Sequence, residues 1–421
     1  MDLDLTLPDW LASANQEFRR SHPGEPGTRQ PVHTVYGGAH LFKATTCQKV
    51  GKLAERALAE YAPDAATLAL ATGVPEAQAE TVYTRVVEKL RREPVEDYRI
   101  DFEDGYGIRP DAEEDASAES AAAEFVKGQA EGTLPPFCGI RIKPLSEESK
   151  ERGMRTLGRF LSTAGALPEN FLVTLPKITV IEQVRALAEA LDDFPSVQIE
   201  IMVETPQALA ILPKLVEAAR GRCVAANFGP YDYSSSLGIT STQQDLRHPV
   251  CDFARFAMQN SLAGTGVRMS DGPTTILPVS IHRGDSLDDQ QKAANGEAVH
   301  RAWKAHYENI RHGLRNGFYQ SLDLHPAQLP VRYAAVYSFF LEGLKAASER
   351  LRNFIAVAAK ATRVGSVFDD AATGQALLNY FLRAVRCGAI PESDVLGLTG
   401  LTPAQLRSGS FLEILKTRWP R

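Results

Sequence analysis

An α/β fold, a (β/α)8 barrel of the TIM type, is the fold class this sequence predicts, and three observations predict it. From about residue 95, short apolar runs alternate with stretches of helical apolar spacing, the pattern of a parallel sheet with crossover helices. Two of the runs end in an acid: Glu204 in "VQIEIMVETPQAL" and Asp232 in "CVAANFGPYD". They lie 28 positions apart, about one strand–helix–strand repeat, so both should emerge at the same end of the sheet. Finally, eight strand candidates can be counted, the number a closed barrel needs. A doubly wound open sheet is the competing architecture.

The elements follow in order. Residues 1–32 read as an N-terminal arm; "MDLDLTLPDWLASANQEFRR" is acidic at its start and lacks the basic-then-apolar pattern of a secretory signal. The first strand is expected in "PVHTVYGG", a β-branched run stopped by a Gly pair. The region of about 43–94 is longer than one crossover helix requires and reads as a helical insertion. The remaining strands are expected at Tyr98–Phe102, Gly139–Lys143, Phe171–Leu175, Gln198–Val203, Val224–Phe228, Thr275–Val279 and Phe318–Leu324. Helical spacing separates them, as in "EDASAESAAAEFVKGQA", "ESKERGMRTLGRFLSTAG" and "IEQVRALAEALDDF". Thr205–Pro206 can start a helix, since Thr accepts an orphan N–H and Pro has none to leave unsatisfied. That places Glu204 at a strand–helix junction. The barrel is expected over 33–335. Residues 336–421 continue the helical pattern beyond what a last barrel helix needs, which predicts a C-terminal helical extension suited to packing in a homo-oligomer.

Composition narrows the function classes. At 421 residues, 44% hydrophobic and 23% charged, the chain has room for one large α/β domain and an extra module. The net charge of −6 is spread along the chain, so there is no electrostatic case for nucleic acid or an anionic membrane. No apolar stretch is long enough to span a bilayer, and cytoplasm is the expected compartment. The five cysteines, Cys47, Cys138, Cys223, Cys251 and Cys387, show no C-x-x-C spacing. This argues against zinc and a disulfide framework, and they read as small buried hydrophobes.

Five consecutive strand ends carry charge. "YRIDFEDGYG" supplies Asp101, Glu103 and Asp104; "CGIRIKP" supplies Arg141 and Lys143; "LVTLPK" supplies Lys177; Glu204 and Asp232 complete the set. Residues at the C-terminal ends of barrel strands converge on one mouth, where barrel active sites lie. Glu204 and Asp232 suit Mg2+, or Mn2+, which takes oxygen ligands and keeps waters that a chelating substrate can displace. Arg141 offers a planar fork to hold a carboxylate and stabilise an enolate oxygen, or it neutralises the acids around it. Asp101, Glu103 and Asp104 are placed to orient metal waters, to move a proton, or to cap a helix. Lys177 has a Schiff-base reading and a structural one. His325 in "LDLHPAQ" follows the last strand, either lining the site or serving its turn. The glycines of "VYGGAH" suit a phosphate-binding turn, though Gly pairs are common in turns.

Taken in order, these motifs resemble the HpcH/HpaI aldolase and citrate lyase β-subunit superfamily, barrels related to the phosphoenolpyruvate/pyruvate enzymes. "RIDFEDGYG" is similar to the family's D-x-E-D segment, "GIRIKPL" to its arginine strand and "LPKITVIEQV" to its Pro-Lys strand. "IMVETPQAL" and "FGPYDYSSSLGI" look like the two metal-ligand segments, and "NGFYQSLDLHPAQ" like the end of the citrate-lyase-type barrel. The likeness runs over roughly residues 95–335. It implies Mg2+ or Mn2+ on Glu204 and Asp232, with Arg141 on the substrate oxyanion; Arg141, Gly229, Pro230 and His325 are the substrate-binding candidates. Arg141, Asp104, Asp101, Glu103 and Lys177 are the catalytic candidates.

Two departures bear on substrate. Pyruvate-type aldolases of the family carry a His where this chain has Asp104, and a carboxylate with an ordinary pKa near 4 is a poorer base near neutrality. That favours the citrate-lyase-like branch, which acts on acyl-CoA or acyl-carrier thioesters; yet that branch usually has R-V-N where this chain has Arg141–Ile142–Lys143. The catalytic segments of the malate synthase relatives are not found. The expected function is thus a Mg2+-dependent carbon–carbon lyase or aldolase working through the enolate of a pyruvate-like keto acid or acyl thioester. The alternatives are a citrate-lyase-like acyl-CoA lyase or condensing enzyme, alone or in a multi-subunit complex, and a barrel that binds a metabolite without turnover.

Overall fold

A computed structural model describes residues 7–24, 28–284, 286–356, 362–364, 367–369 and 371–418. The first six residues of the expected arm, and parts of the expected tail, lie outside them. Eight parallel strands close into a barrel in chain order: β1 (His33–Gly38), β2 (Asp97–Asp101), β3 (Phe137–Arg141), β4 (Phe171–Leu175), β5 (Gln198–Val203), β6 (Cys223–Phe228), β7 (Arg268–Asp271) and β8 (Gln320–Asp323). β1 pairs with β8, Val35 opposite Asp323, and so shuts the cylinder. The open sheet is excluded.

The barrel interior departs from the usual apolar layers. On β2 the alternation is chemical, because all five residues are buried. Tyr98 and Ile100 belong to the apolar core, whereas Arg99 reaches across the barrel to Thr174 (3.0 Å) and Glu200 (3.3 Å). Arg99 also pairs with Asp97, and Thr174 donates to Glu200 at 2.6 Å. A buried ion pair of this kind survives only when its remaining hydrogen-bonding groups are satisfied. Here Thr34, Gln320 and Tyr36 contribute the further partners.

Around the strands lie the connecting helices. α1 (Asp9–Ser21) precedes the barrel and has no buried residue. Between β1 and β2 come α2 (Thr46–Tyr61), α3 (Ala65–Thr72) and α4 (Ala79–Arg92), in the stretch read as an insertion. Then follow α5 (Asp111–Glu131), α6 (Lys150–Ala164), α7 (Ile181–Ala190), α8 (Pro206–Ala210), α9 (Leu212–Ala218), α10 (Pro230–Ser236), α11 (Pro249–Leu262) and α12 (Asp289–Arg315). Thr205 caps α8 as its sequence implies, accepting from the Ala208 N–H at 3.0 Å, with Pro206 in the first turn.

The seventh strand is a correction. It was expected at Thr275–Val279, but β7 is Arg268–Asp271, and the apolar run lies in the irregular segment that follows it. The true strand is four residues long and polar at three of them, so it carries no apolar run. Pro278 interrupts the decoy, which leaves Ile276 58% exposed.

After β8, α13 (Leu329–Ala356) is buried on nearly every side over its first ten residues, where it packs against α12 and α4. The tail then adds a short antiparallel pair, β9 (Thr362–Val364) and β10 (Val367–Asp369), where only helix was expected. Its sequence, V-G-S-V between β-branched and aromatic residues, is a hairpin signal. α14 (Ala371–Arg386), α15 (Val395–Thr399), α16 (Pro403–Arg407) and α17 (Phe411–Arg418) complete it. α14 and α15 pack on α13 of their own chain. Among the described residues no helix is long and apolar enough to cross a membrane.

Candidate active site at the barrel mouth

Strand register brings the charged residues together. Asp101 ends β2 directly opposite Arg141 at the end of β3. Arg141 donates to both oxygens of Asp101, at 2.7 and 2.5 Å, and lies 2.9 Å from Glu103. Asp101 also accepts from the backbone N–H groups of Glu103 (3.0 Å) and Gly105 (2.7 Å), so this carboxylate organises the turn as well as the arginine. The Arg141 guanidinium stacks 4.9 Å from the Tyr36 ring and is 93% buried, held in one pose.

Lys177 follows β4 with φ of 50°, in the left-handed region that costs energy for a residue with a Cβ. That turn aims its backbone N–H at Glu204, 2.5 Å away. Its ammonium group pairs with Glu103, lies 3.3 Å from Asp104 and 4.0 Å from Asp232. Those carboxylates raise its pKa against the opposing effect of burial, so it stays protonated at neutral pH. A Schiff base needs the neutral amine, which this setting disfavours.

Glu204 is buried and Asp232, in the first turn of α10, is half exposed. The Gly229 N–H donates to the Val203 carbonyl at 3.1 Å and draws the two segments together. A Cβ at Gly229 would lie 2.5 Å from the Glu204 Cβ, so only glycine fits. Burial, and then the Asp232 charge, push the Glu204 carboxyl up to about 8. Glu103 is raised by burial, while Arg141 and Lys177 pull the other way. Asp104 is held below the ordinary carboxylate value, Arg141 and its hydrogen bonds outweighing its partial burial. Its side chain is 62% exposed, so it does not gain the strength as a base that burial would have given.

A cavity of about 380 Å3 opens between these groups, lined by Asp101, Asp104, Arg141, Glu204, Asp232, Gly229 and Pro230 among others. The fit of a metal can be judged from the donors. Among the described residues no three His, Cys, Asp or Glu side chains gather as a full ligand set. Two carboxylates whose charges repel across a cavity are nonetheless the donor pair a hard cation relieves, leaving coordination positions for water and substrate. Glu204 and Asp232 therefore fit Mg2+ or Mn2+.

Two residues named from sequence point elsewhere. Lys143 turns outward to Glu114 (2.9 Å) and the Phe102 carbonyl (2.8 Å). His325 caps the turn after β8, accepting from the Ala327 N–H at 3.2 Å. It lines a separate cavity of about 510 Å3 with Arg56, Tyr61, His282 and Arg283. Conversely, Tyr36, Met202, Asn227, Leu322 and Leu324 line the mouth cavity and were not singled out. Period-two spacing from Glu204 back to Met202 and Glu200 would have found the inward face of β5.

The sequence model of DUF6986, described as a domain of unknown function, matches residues 11–414. No curated protein sequence matches the chain. Among solved structures, a citrate lyase of Burkholderia xenovorans LB400 is similar with a TM-score of 0.56 and 18% identity, over 85% of this chain and 93% of that one. Protein CitE of Mycobacterium tuberculosis, solved with magnesium, acetoacetate and coenzyme A, gives 0.48 and 15%, over 87% and 99%. A Haloferax volcanii malate synthase gives 0.47 and 14%, over 94% and 96%. The chain shares its fold, a closed eight-stranded barrel, with the Burkholderia citrate lyase.

Proposed function

The chain belongs to the DUF6986 family, and from that premise and its barrel mouth we propose that it is a Mg2+-dependent (or Mn2+-dependent) carbon–carbon lyase or aldolase working through the enolate of a pyruvate-like keto acid. The observation that carries this reading is the convergence of Glu204 and Asp232 on one cavity with Arg141 at its wall. Glu204 and Asp232 hold the cation, which supplies Lewis acidity toward a chelating keto acid. Arg141 directs its guanidinium at the oxygen on which enolate charge develops, and its burial in a dry wall strengthens that interaction. Asp101 and Glu103 act through Arg141 as positioning residues. Lys177 offsets the acids around it. Asp104, ionised and open to solvent, is the rim group able to accept a proton.

Solvent deuterium exchange into the methyl group of pyruvate, followed by NMR, tests the reading. Exchange should require Mg2+ and vanish in Glu204→Gln and Asp232→Asn. Full exchange with chelator present would remove the metal's role.

A second reading, an acyl-CoA thioester as the enolate source, has its own observation. The cavity that His325 lines, next in sequence to Leu324 of the mouth, also carries Arg56 and Arg283 beside Glu60, and the two guanidinium groups suit phosphate. Saturable binding of CoA, with none of pyruvate, would favour it.

A further inference from the structure

The mouth cavity is divided by strand. Its charged side chains come from β2, β3 and β5 and from the turn after β6: Asp101, Asp104, Arg141, Glu204 and Asp232. The wall formed by Tyr231 and by β7 and β8 is different. Tyr231, Pro273, Leu322 and Leu324 face the cavity there, with no charged side chain among the lining residues that follow β7 or β8. The Tyr231 hydroxyl is already engaged by the Pro273 carbonyl at 2.9 Å, so that ring presents a wall and not a donor.

One polar group interrupts this apolar half. Asn227 lines the cavity, is 1% exposed, and donates from Nδ2 to Ser270 at 3.1 Å. Its Oδ1 is buried and has no hydrogen-bond partner among the protein atoms described. A buried acceptor without a donor is costly, so a ligand that brings a hydroxyl to this position removes a standing penalty.

Resting on the lyase reading above, we propose that the β6–β8 half of the mouth is the pocket for the second reactant: a short aldehyde or ketone whose substituent is uncharged and aliphatic or aromatic. Leu322 and Leu324 select that substituent, and Asn227 receives the oxygen of its carbonyl group once that oxygen has become a hydroxyl. The step balances without an external oxidant or reductant. The enolate carbon gives its electron pair to the carbonyl carbon, forming the carbon–carbon bond; the C=O π pair moves onto oxygen, which takes up a proton. Cleavage reverses each move. A cavity of about 380 Å3 is at the small end of the usual ligand range of roughly 300–1,000 Å3, in keeping with two small reactants. An anionic substituent would leave its charge against leucine and proline with no partner, and that penalty discriminates more strongly than an added methylene.

The test uses the full chain with Mg2+, pyruvate and a panel of aldehydes: butanal and benzaldehyde against glyoxylate and succinic semialdehyde. Formation of the 4-hydroxy-2-keto acid is followed by mass spectrometry. The apolar aldehydes should exceed the anionic ones in kcat/KM by about tenfold or more, and Leu324→Lys should lower that ratio at least about tenfold. Because the ratio is internal to each variant, partial loss of folded protein cancels. Leu324 is 42% exposed, so a lysine there has a solvent route. Asn227→Leu should slow cleavage of the hydroxy acid more than it slows deuterium exchange into pyruvate, since exchange needs no second reactant. Anionic preference in the wild type, or an unchanged ratio in both Leu322→Lys and Leu324→Lys, overturns the proposal while pyruvate exchange stands. Equal losses in Asn227→Leu overturn the role of Asn227. Absence of any pyruvate exchange overturns the lyase reading and this inference with it.

Discussion

Glu204 combines burial with a carboxylate neighbour, and its protonation follows from that setting. With its carboxyl pushed up to about 8, the metal-free folded chain holds this proton more tightly than the unfolded chain does. Its contribution to stability is therefore full below the ordinary carboxylate value and lost as pH rises through 8. A cation must displace the proton. Mg2+ affinity should fall about tenfold for each pH unit below 8 and level off above it, with one proton released per ion bound near pH 7. Calorimetry in two buffers of different ionisation enthalpy measures that release, and a pH-independent affinity between 6 and 8 would contradict it. Arg141 gives the second prediction at this scale. Arg141→Lys keeps a positive charge but loses the planar fork that grips Asp101. Pyruvate exchange should drop by about 10²–10³, the usual loss for one oxyanion donor. Arg141→Met should in addition lose about 3–5 kcal/mol of stability, because Asp101 would be left buried without its cation and Glu103 with Lys177 alone. Urea denaturation separates the two variants.

Among the elements, strand ends were more legible than strand interiors. Glu204 and Asp232 announced themselves because an apolar run gives way to a capping Thr-Pro or a Gly-Pro turn, and those turns fix where a parallel strand stops. β7 was hidden because four residues with three of them polar carry no periodic signal, while a nearby apolar run interrupted by proline imitates one. The inward faces of β2 and β5 were hidden for another reason. Arg99 pairs with Asp97 on its own strand and with Glu200 across the barrel, and no local pattern encodes a partner some hundred residues away. Tyr36 was missed because its work, stacking on Arg141, depends on that same closure. The β6–α10 turn supports a third prediction. Gly229 has an ordinary backbone angle of −101°, so alanine is strained there only by contact, its Cβ meeting the Glu204 side chain. Gly229→Ala should cost about 1–3 kcal/mol of stability and weaken Mg2+ binding by displacing Glu204. A thermal melt with and without Mg2+ reads both, and an unchanged metal-induced shift would show that Glu204 keeps its place.

At the scale of the whole molecule, one buried carboxylate ties barrel to extension. Asp323 ends β8, points away from the site and is fully buried. Arg332 of α13 donates to it at 2.7 Å, His33 of β1 is 3.0 Å from it, and His306 of α12 lies 3.1 Å away. The closing pair of strands and both long helices thus meet at a single side chain. Burial opposes its charge, but Arg332 and the two histidines hold the carboxyl well below its ordinary range. With a folded value below the unfolded one, Asp323 contributes stability that is present above the ordinary carboxylate value and lost as pH falls below it. Asp323→Asn keeps the shape but strands the Arg332 guanidinium, which is itself only 2% exposed. The variant should lose about 3–5 kcal/mol in denaturant unfolding at pH 7. Its acid limb should also be shallower than that of the wild type, since this group no longer titrates. Barrel and tail should still unfold together, because α13 packs against both. A separate early transition, reported by tail fluorescence alone, would mean that Asp323 holds only the local seam and that the barrel stands without it.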